Sequence, residues 1–354
     1  MSSISLKNWP VQRRQTISTE SLRRKSLIGG SAITYDVAKE LRQVVYGSSI
    51  RGFSRDWRRA AFCLQPLDSD FPYGLHAQKC GSRGVVMCVQ AHIMMYLCEK
   101  YRGGTDFLGC SALQPSGSER KMALVYALSH ILWRAGQELG RCYVCLPQDS
   151  ELFDPTPHYH HDGLTEKLLL FEFTKYDELE QFMRRHVQFF EEDGARGCIL
   201  FVYSVVLSRT TQKVYKDAGT TKIHLIGHME EVTMPLANLL LTGRATRYIH
   251  NGTLVYDKDG ELLEPPLVGI GERSEIGLLY WEKMEDEGNR TEVGSMYRTP
   301  KTPIWVTWIN HTQFGVLFCL KTDLVSDWRA ENWFTLNYYN GLPGQPKTSL
   351  TIGR

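Results

Sequence analysis

The 354-residue chain has no run of apolar residues approaching the roughly 18 that a membrane-crossing helix needs. No apolar stretch opens it either, so a secretory signal peptide is not expected. Charge of one sign is also missing. With 41 Lys and Arg against 39 Asp and Glu, no whole-chain field draws it to nucleic acid. Its aromatic residues fall in apparent core strands and do not interleave with basic runs, which argues against a stacking platform for nucleic acid. The nine cysteines are odd in number and irregularly spaced, so they do not read as a disulfide framework. The setting expected is intracellular, cytoplasmic or nuclear. There the acceptor-like triplets at Asn251, Asn289 and Asn310 have no glycosylation role. No internal repeat is present. Gly269-Ile270-Gly271 lacks the third glycine and the following helix of a dinucleotide fingerprint, and no cofactor is expected.

What the chain does have begins with a polar, serine-rich segment. Residues 1–35 contain the arginine pairs Arg13-Arg14 and Arg23-Arg24 with Glu20 as the one acid. Such a composition buries too little apolar surface to offset its ordering entropy, and it is expected to be a disordered basic tail before a domain over 36–354. Thr16 and Ser26 each stand two residues after an arginine pair, a pattern that suits a basophilic kinase.

Helical spacing dominates the next two thirds. Helices are predicted over 84–101, from an opening at Ser116-Gly117-Ser118-Glu119 to a stop at Gly136, over 176–192, and over 228–242 before Gly243. Strands are predicted later, at 252–256 paired with 262–263, then 304–309, 314–321 and 334–339. Helices followed by an antiparallel sheet make an α+β plan.

The most informative stretch is Gln78-Lys79-Cys80-Gly81-Ser82-Arg83 ahead of the helix that starts near Gly84. Unpaired N–H groups and the macrodipole at a helix start stabilise a thiolate and then an oxyanion, so this is where a cysteine hydrolase keeps its nucleophile. Here the turn holds a cation, which opposes the dipole by about 0.3–1 kcal/mol.

The wording of this stretch resembles the MINDY family of deubiquitinases. That family has a glutamine, a glycine-rich turn, Pro-Cys, then Gly-Val and, three residues on, Val-Gln-Ala. Counting back from Val89-Gln90-Ala91 through Gly84-Val85 aligns Arg83 with the nucleophilic cysteine and Ser82 with the proline. Near the other end, Gln313 precedes Phe314-Gly315-Val316-Leu317-Phe318 where the family has its catalytic histidine. Further matching words fall at 53–57, 113–116, 133–136, 197–200, 225–227, 239–243, 327–329 and 338–342. Their order resembles the branch of the family's fourth member, on the side of an inactive paralogue.

The resemblance implies a papain-like arrangement, with the helical first part packed on the later antiparallel sheet. It also implies a family activity of thiol-dependent cleavage of degradation-type polyubiquitin. Without nucleophile and base, this chain reads as a pseudoenzyme that keeps ubiquitin or polyubiquitin binding, or a scaffold role. Gln78 matches the glutamine that helps form the oxyanion site. One alternative is a weak hydrolase that uses Cys80, with Arg83 nearby to favour its thiolate, and His311. If the strand of Gln313 extends back to His311, both side chains share a face about 6–7 Å apart.

Other clusters have plain readings. Cys88, Cys142 and Cys145 read as core residues. The run His158 to Asp162 lacks the spacing of a structural metal site, and no metal is expected.

Overall fold

A computed structural model of the chain describes residues 27, 29–101, 113–154, 159–283 and 291–353. The expectations for the tail over 1–26, with Thr16 and Ser26, and for His158 and Asn289 lie outside the described residues.

The fold starts earlier than residue 36. Strand β1 (Ser31–Ala32) pairs antiparallel with β3 (Leu168–Phe173), and Thr34 Oγ1 accepts from Val37 N to cap helix α1 (Tyr35–Tyr46). Residues 31–35, assigned above to the tail, are therefore part of the structure, and Ile33 is buried. Gly47 closes α1 at φ 73°, a conformation that suits a residue without Cβ.

The predicted nucleophile helix is α2 (Arg83–Lys100), one residue longer at its start than the spacing suggests. It is buried nearly all round, because α3 (Gly117–Gly136), α7 (Met234–Thr242) and a sheet enclose it. The α3 start is as predicted. Ser116 Oγ accepts from Glu119 N while a Glu119 carboxylate oxygen accepts from Ser116 N at 2.8 Å.

The other predicted helices differ in their bounds. The segment 176–192 splits into α4 (Tyr176–His186) and a short turn at Gln188–Glu191. The Phe190 carbonyl is taken by Phe62 N at 2.8 Å, so this backbone serves a neighbouring segment and does not prolong the helix. The segment 228–242 becomes helical only at α7. Glu230 at φ 61° and an isolated bridge between Ile226 and Val232 make its first residues a tight turn, and Pro235 favours the first helical turn.

Besides α1, two further helices and a sheet were not foreseen. Strand β2 (Cys142–Pro147) pairs with β3 to complete a three-stranded sheet, and α5 (Gly197–Arg209) lies along it, followed by α6 (Thr211–Ala218). The free edge of β2 is closed by hydroxyls of α5. Ser208 Oγ accepts from Tyr143 N and Ser204 Oγ from Cys145 N, both at 2.9 Å.

The later sheet runs β10-β9-β8-β7-β6, from β6 (Gly277–Trp281), β7 (Ile304–Ile309), β8 (Gln313–Phe318), β9 (Trp333–Tyr339) and β10 (Thr348–Gly353). It is not wholly antiparallel, since β6 and β7 run parallel. The predicted hairpin stands apart as β4 (Thr253–Tyr256) and β5 (Leu262–Val268). The plan is α+β. Alternation along β7 and β8 turns Ile304, Val306, Trp308, Phe314, Val316 and Phe318 inward, and both strands pack on α2. No helix among the described residues is long and apolar enough to cross a membrane.

His92, in the middle of α2, is fully buried. Its Nδ1 donates to the Cys88 carbonyl at 2.8 Å, and burial, with His130 beside it, pushes its pKa down to about 3. A histidine depressed on folding takes up its proton in the unfolded chain first. Its contribution is therefore complete above the ordinary 6.5 and is lost as pH falls from there towards about 3. Stability should drop by up to about 1.4 kcal/mol per pH unit in that window from this group. The check is urea denaturation between about pH 7 and pH 4, in which His92→Gln should flatten the slope. An unchanged slope would refute the assignment.

Candidate functional site

The loop ahead of α2 is held from both sides. Gln90, from inside α2, accepts from Leu75 N at 2.7 Å, Tyr339 Oη donates to the Leu75 carbonyl at 2.7 Å, and Ala77 N donates to Gly341 O at 2.8 Å. Further on, Trp57 Nε1 donates to the Glu230 carbonyl at 2.9 Å. Gly81 sits against that same carbonyl, and a Cβ there would lie 1.6 Å from Glu230 O. Gly81 is thus fixed by close approach of two backbones. Gly81→Ala should destabilise the fold by about 3 kcal/mol or more, since backbone must move to admit the methyl group. A shift in the urea midpoint of less than half that size would show that the loop yields instead.

The helix start rests on the start of β8. A Cβ at Gly84 would meet the Phe314 ring and Val232, each at 2.9 Å. Arg83 and Gln313, the first residues of α2 and β8, therefore fall in one corner of the molecule. Their side chains are placed differently. Arg83 is only 7% exposed, and Gln313 is exposed on the sheet face opposite Phe314. Leu317 pairs with Tyr338, so Tyr338 shares Gln313's face, and its hydroxyl lies where a Cβ on Gly315 would go, 2.4 Å away. The β8–β9 ladder begins at Val316 and Tyr339, short of residues 313–315.

Burial lowers the Arg83 pKa from its ordinary value, and the Tyr338 phenol acts in the opposite sense. Its Nε has no hydrogen-bond partner. Ser82 supplies no side-chain cap to α2, and no acid stands in the first turn.

Gln78 is exposed and lines a cavity of about 360 Å³ with Ser82, Val86, Cys63 and His76. Arg83 is not among the lining residues. No spacing or motif marks Cys63 and His76, which come together because Leu64 and Leu75 form a bridge between distant parts of the loop, with His76 N donating to Cys63 O at 2.7 Å. Tyr338 and Glu230 were likewise missed, since both reach the site by long-range packing.

The displaced pair does not form. Strand β8 begins at Gln313, and His311 lies before it in a turn at φ 57°, so the shared-face spacing expected for His311 and Gln313 does not exist. His311 Nε2 lies 3.2 Å from a Glu282 carboxylate oxygen. Cys80 Sγ lies 3.2 Å from Ser82 Oγ. No contact joins Cys80 to His311 among the described residues.

The remaining clusters are structural. Burial pushes the thiols of Cys88, Cys142 and Cys145 up to about 12. Asp162 accepts from Leu164 N and Thr165 N, and His161 contacts Glu151 at 2.9 Å. Among the described residues, no group of three or more His, Cys, Asp or Glu is placed to hold a metal ion.

Residues 42–354 match the model of a family described as "Deubiquitinating enzyme MINDY-3/4, conserved domain". The "Probable ubiquitin carboxyl-terminal hydrolase MINDY-4" of Homo sapiens is 37% identical over 322 residues, which are 90% of this chain and 41% of that protein. Its Bos taurus counterpart is 37% identical over 314 residues, 88% of this chain and 40% of the relative. The "Ubiquitin carboxyl-terminal hydrolase MINDY-3 homolog" of Drosophila melanogaster is 34% identical over 131 residues, 37% of this chain and 22% of the relative. The chain thus spans about two-fifths of the length of the MINDY-4 relatives. No solved structure matches it. With nearly the whole chain matched by one family's domain, it belongs to the MINDY-3/4 deubiquitinase family.

Proposed function

We propose that this chain is a non-hydrolytic member of its family, an intracellular ubiquitin-binding or scaffold protein of the cytoplasm or nucleus. The observation behind this reading is the buried guanidinium of Arg83 at the start of α2, where the family resemblance assigns the thiol. A guanidinium stays protonated and has no lone pair for attack, and the Gln313 amide is no base at neutral pH. In this reading the helix start against the sheet is the remnant of a papain-like site, and the oxyanion role that the resemblance gives Gln78 has no nucleophile to serve. The alternative of a weak hydrolase through Cys80 and His311 is disfavoured by the engagement of His311 with Glu282.

The test is capture of mono- and polyubiquitin on immobilised chain at matched ubiquitin concentration. Retention of polyubiquitin is expected. If neither form is retained above an unrelated protein of equal charge, the binding reading falls.

A further inference from the structure

Three segments distant in sequence close a small polar cavity of about 220 Å³ at the start of α5. Its walls include Arg58 from the helical turn Arg55–Arg59, His160, His161 and Asp162 from the loop ahead of β3, and Arg196 just before α5. None of Gln78, Arg83 and Gln313 lines it. The volume lies below the about 300–1,000 Å³ of pockets that enclose drug-sized molecules, so it suits a compact group.

Charge in this cavity is unevenly matched. Asp162 is engaged within the protein. Its Oδ1 accepts from Leu164 N and Thr165 N, its Oδ2 accepts from the Thr165 hydroxyl, and the fully buried Arg42 lies 3.7 Å away. The buried Glu166 carboxylate accepts from Asp162 N at 3.1 Å and does not line the cavity, and His161 is held by Glu151 at 2.9 Å. The two arginines form no ion pair among the described residues. Arg58 Nε donates to the Ser54 carbonyl at 3.4 Å and Arg196 Nη1 to the Gly163 carbonyl at 3.1 Å, which leaves most of the five donors of each fork unmet by these bonds.

Helix α5 acts in the same sense. Over its 13 residues it has no side-chain cap and no acid in the first turn, and Ile199 of that turn lines the cavity, so the positive end of the dipole is unopposed by the helix's own residues. Arg196 itself stands at φ 60° and ψ 29°, a left-handed conformation that favours glycine. Gly194, two residues earlier, takes φ 78° without a side chain. An arginine held where glycine would be unstrained points to a use for its guanidinium.

We propose that Arg58, Arg196 and the start of α5 bind a phosphate-type oxyanion. Two guanidinium forks and a helix dipole match both its charge and its several acceptor oxygens, and the size of the cavity admits the group without a large carrier. The anion arrives either free or as a phosphorylated side chain of a protein partner.

The test is isothermal titration of the full chain with inorganic phosphate, at fixed ionic strength and against chloride. Phosphate should saturate one site, and Arg58→Gln and Arg196→Gly should each weaken it at least about tenfold, as expected for loss of a charge-assisted pair. Arg196→Gly has a second readout. Glycine accepts a positive φ freely, so the urea midpoint of this variant should hold or rise while phosphate binding is lost. A midpoint that falls would make Arg196 a structural strut and overturn the proposal. Phosphate bound no better than chloride, or bound by either variant as tightly as by wild type, would overturn it as well. A capped alanine-phosphoserine-alanine peptide separates the two sources. Tighter binding than phosphate assigns the group to a protein partner, and equal or weaker binding assigns it to the free anion.

Discussion

Polyubiquitin incubated with a large excess of this chain should remain uncleaved. Losing the nucleophile in other hydrolases lowers turnover by about a millionfold, which puts a family-like rate below detection in a chain-cleavage assay. The one thiol in the turn before α2 is Cys80, whose recorded neighbour is the Ser82 hydroxyl and not an imidazole. An electrophilic ubiquitin probe should therefore form no covalent adduct. Cleavage by the wild-type chain that disappears in Cys80→Ala would make Cys80 the nucleophile and end the pseudoenzyme reading.

Restoring activity should require two substitutions together. Arg83→Cys places a thiol at the uncapped start of an 18-residue helix, where the dipole and free N–H groups favour the thiolate. Gln313→His supplies a base at the adjoining strand start. Each single variant should stay at background, and the double variant should exceed either by about a hundredfold or more, the usual gain from a positioned base. Strong cleavage by either single variant, or a silent double variant that folds, would show that these positions do not pair in this chain. Arg83→Cys also has a stability readout. Removing an unpaired buried charge should raise the urea midpoint of the ligand-free protein, opposite to the usual effect of truncating a buried side chain.

Local signals were read where the chain declares them locally. The Ser116–Glu119 box fixed the start of α3, and alternation set β7 within its observed bounds. Helix α5 escaped notice because it is apolar on every side, so no 3.6-residue rhythm distinguishes it. β2 and β3 are short buried runs whose partners lie far apart in sequence. The parallel pairing of β6 with β7 is likewise a property of topology that no window of residues contains. Arg83, Gln313 and Gln78 were singled out through the family wording, and the structure adds that the first two begin α2 and β8. That no carboxylate among the described residues pairs with Arg83, whereas Asp162 and Asp217 stand beside Arg42 and Arg209, is a matter of long-range packing.

The backbone contacts of Gly81 and the enclosure of α2 also set how this corner moves. Gln78, Lys79 and Cys80 lie at the surface or half-buried, so they can open by local fluctuation, while α2 from Arg83 onward can open only with the body of the fold. The boundary between the two regimes falls at Gly81 and Ser82. A partner that reaches this corner therefore meets one wall that is already ordered, and the entropy it must spend is confined to a few residues on the other side. Substitutions in that short segment should tune how fast a partner arrives and leaves, without touching the stability of the domain that holds it.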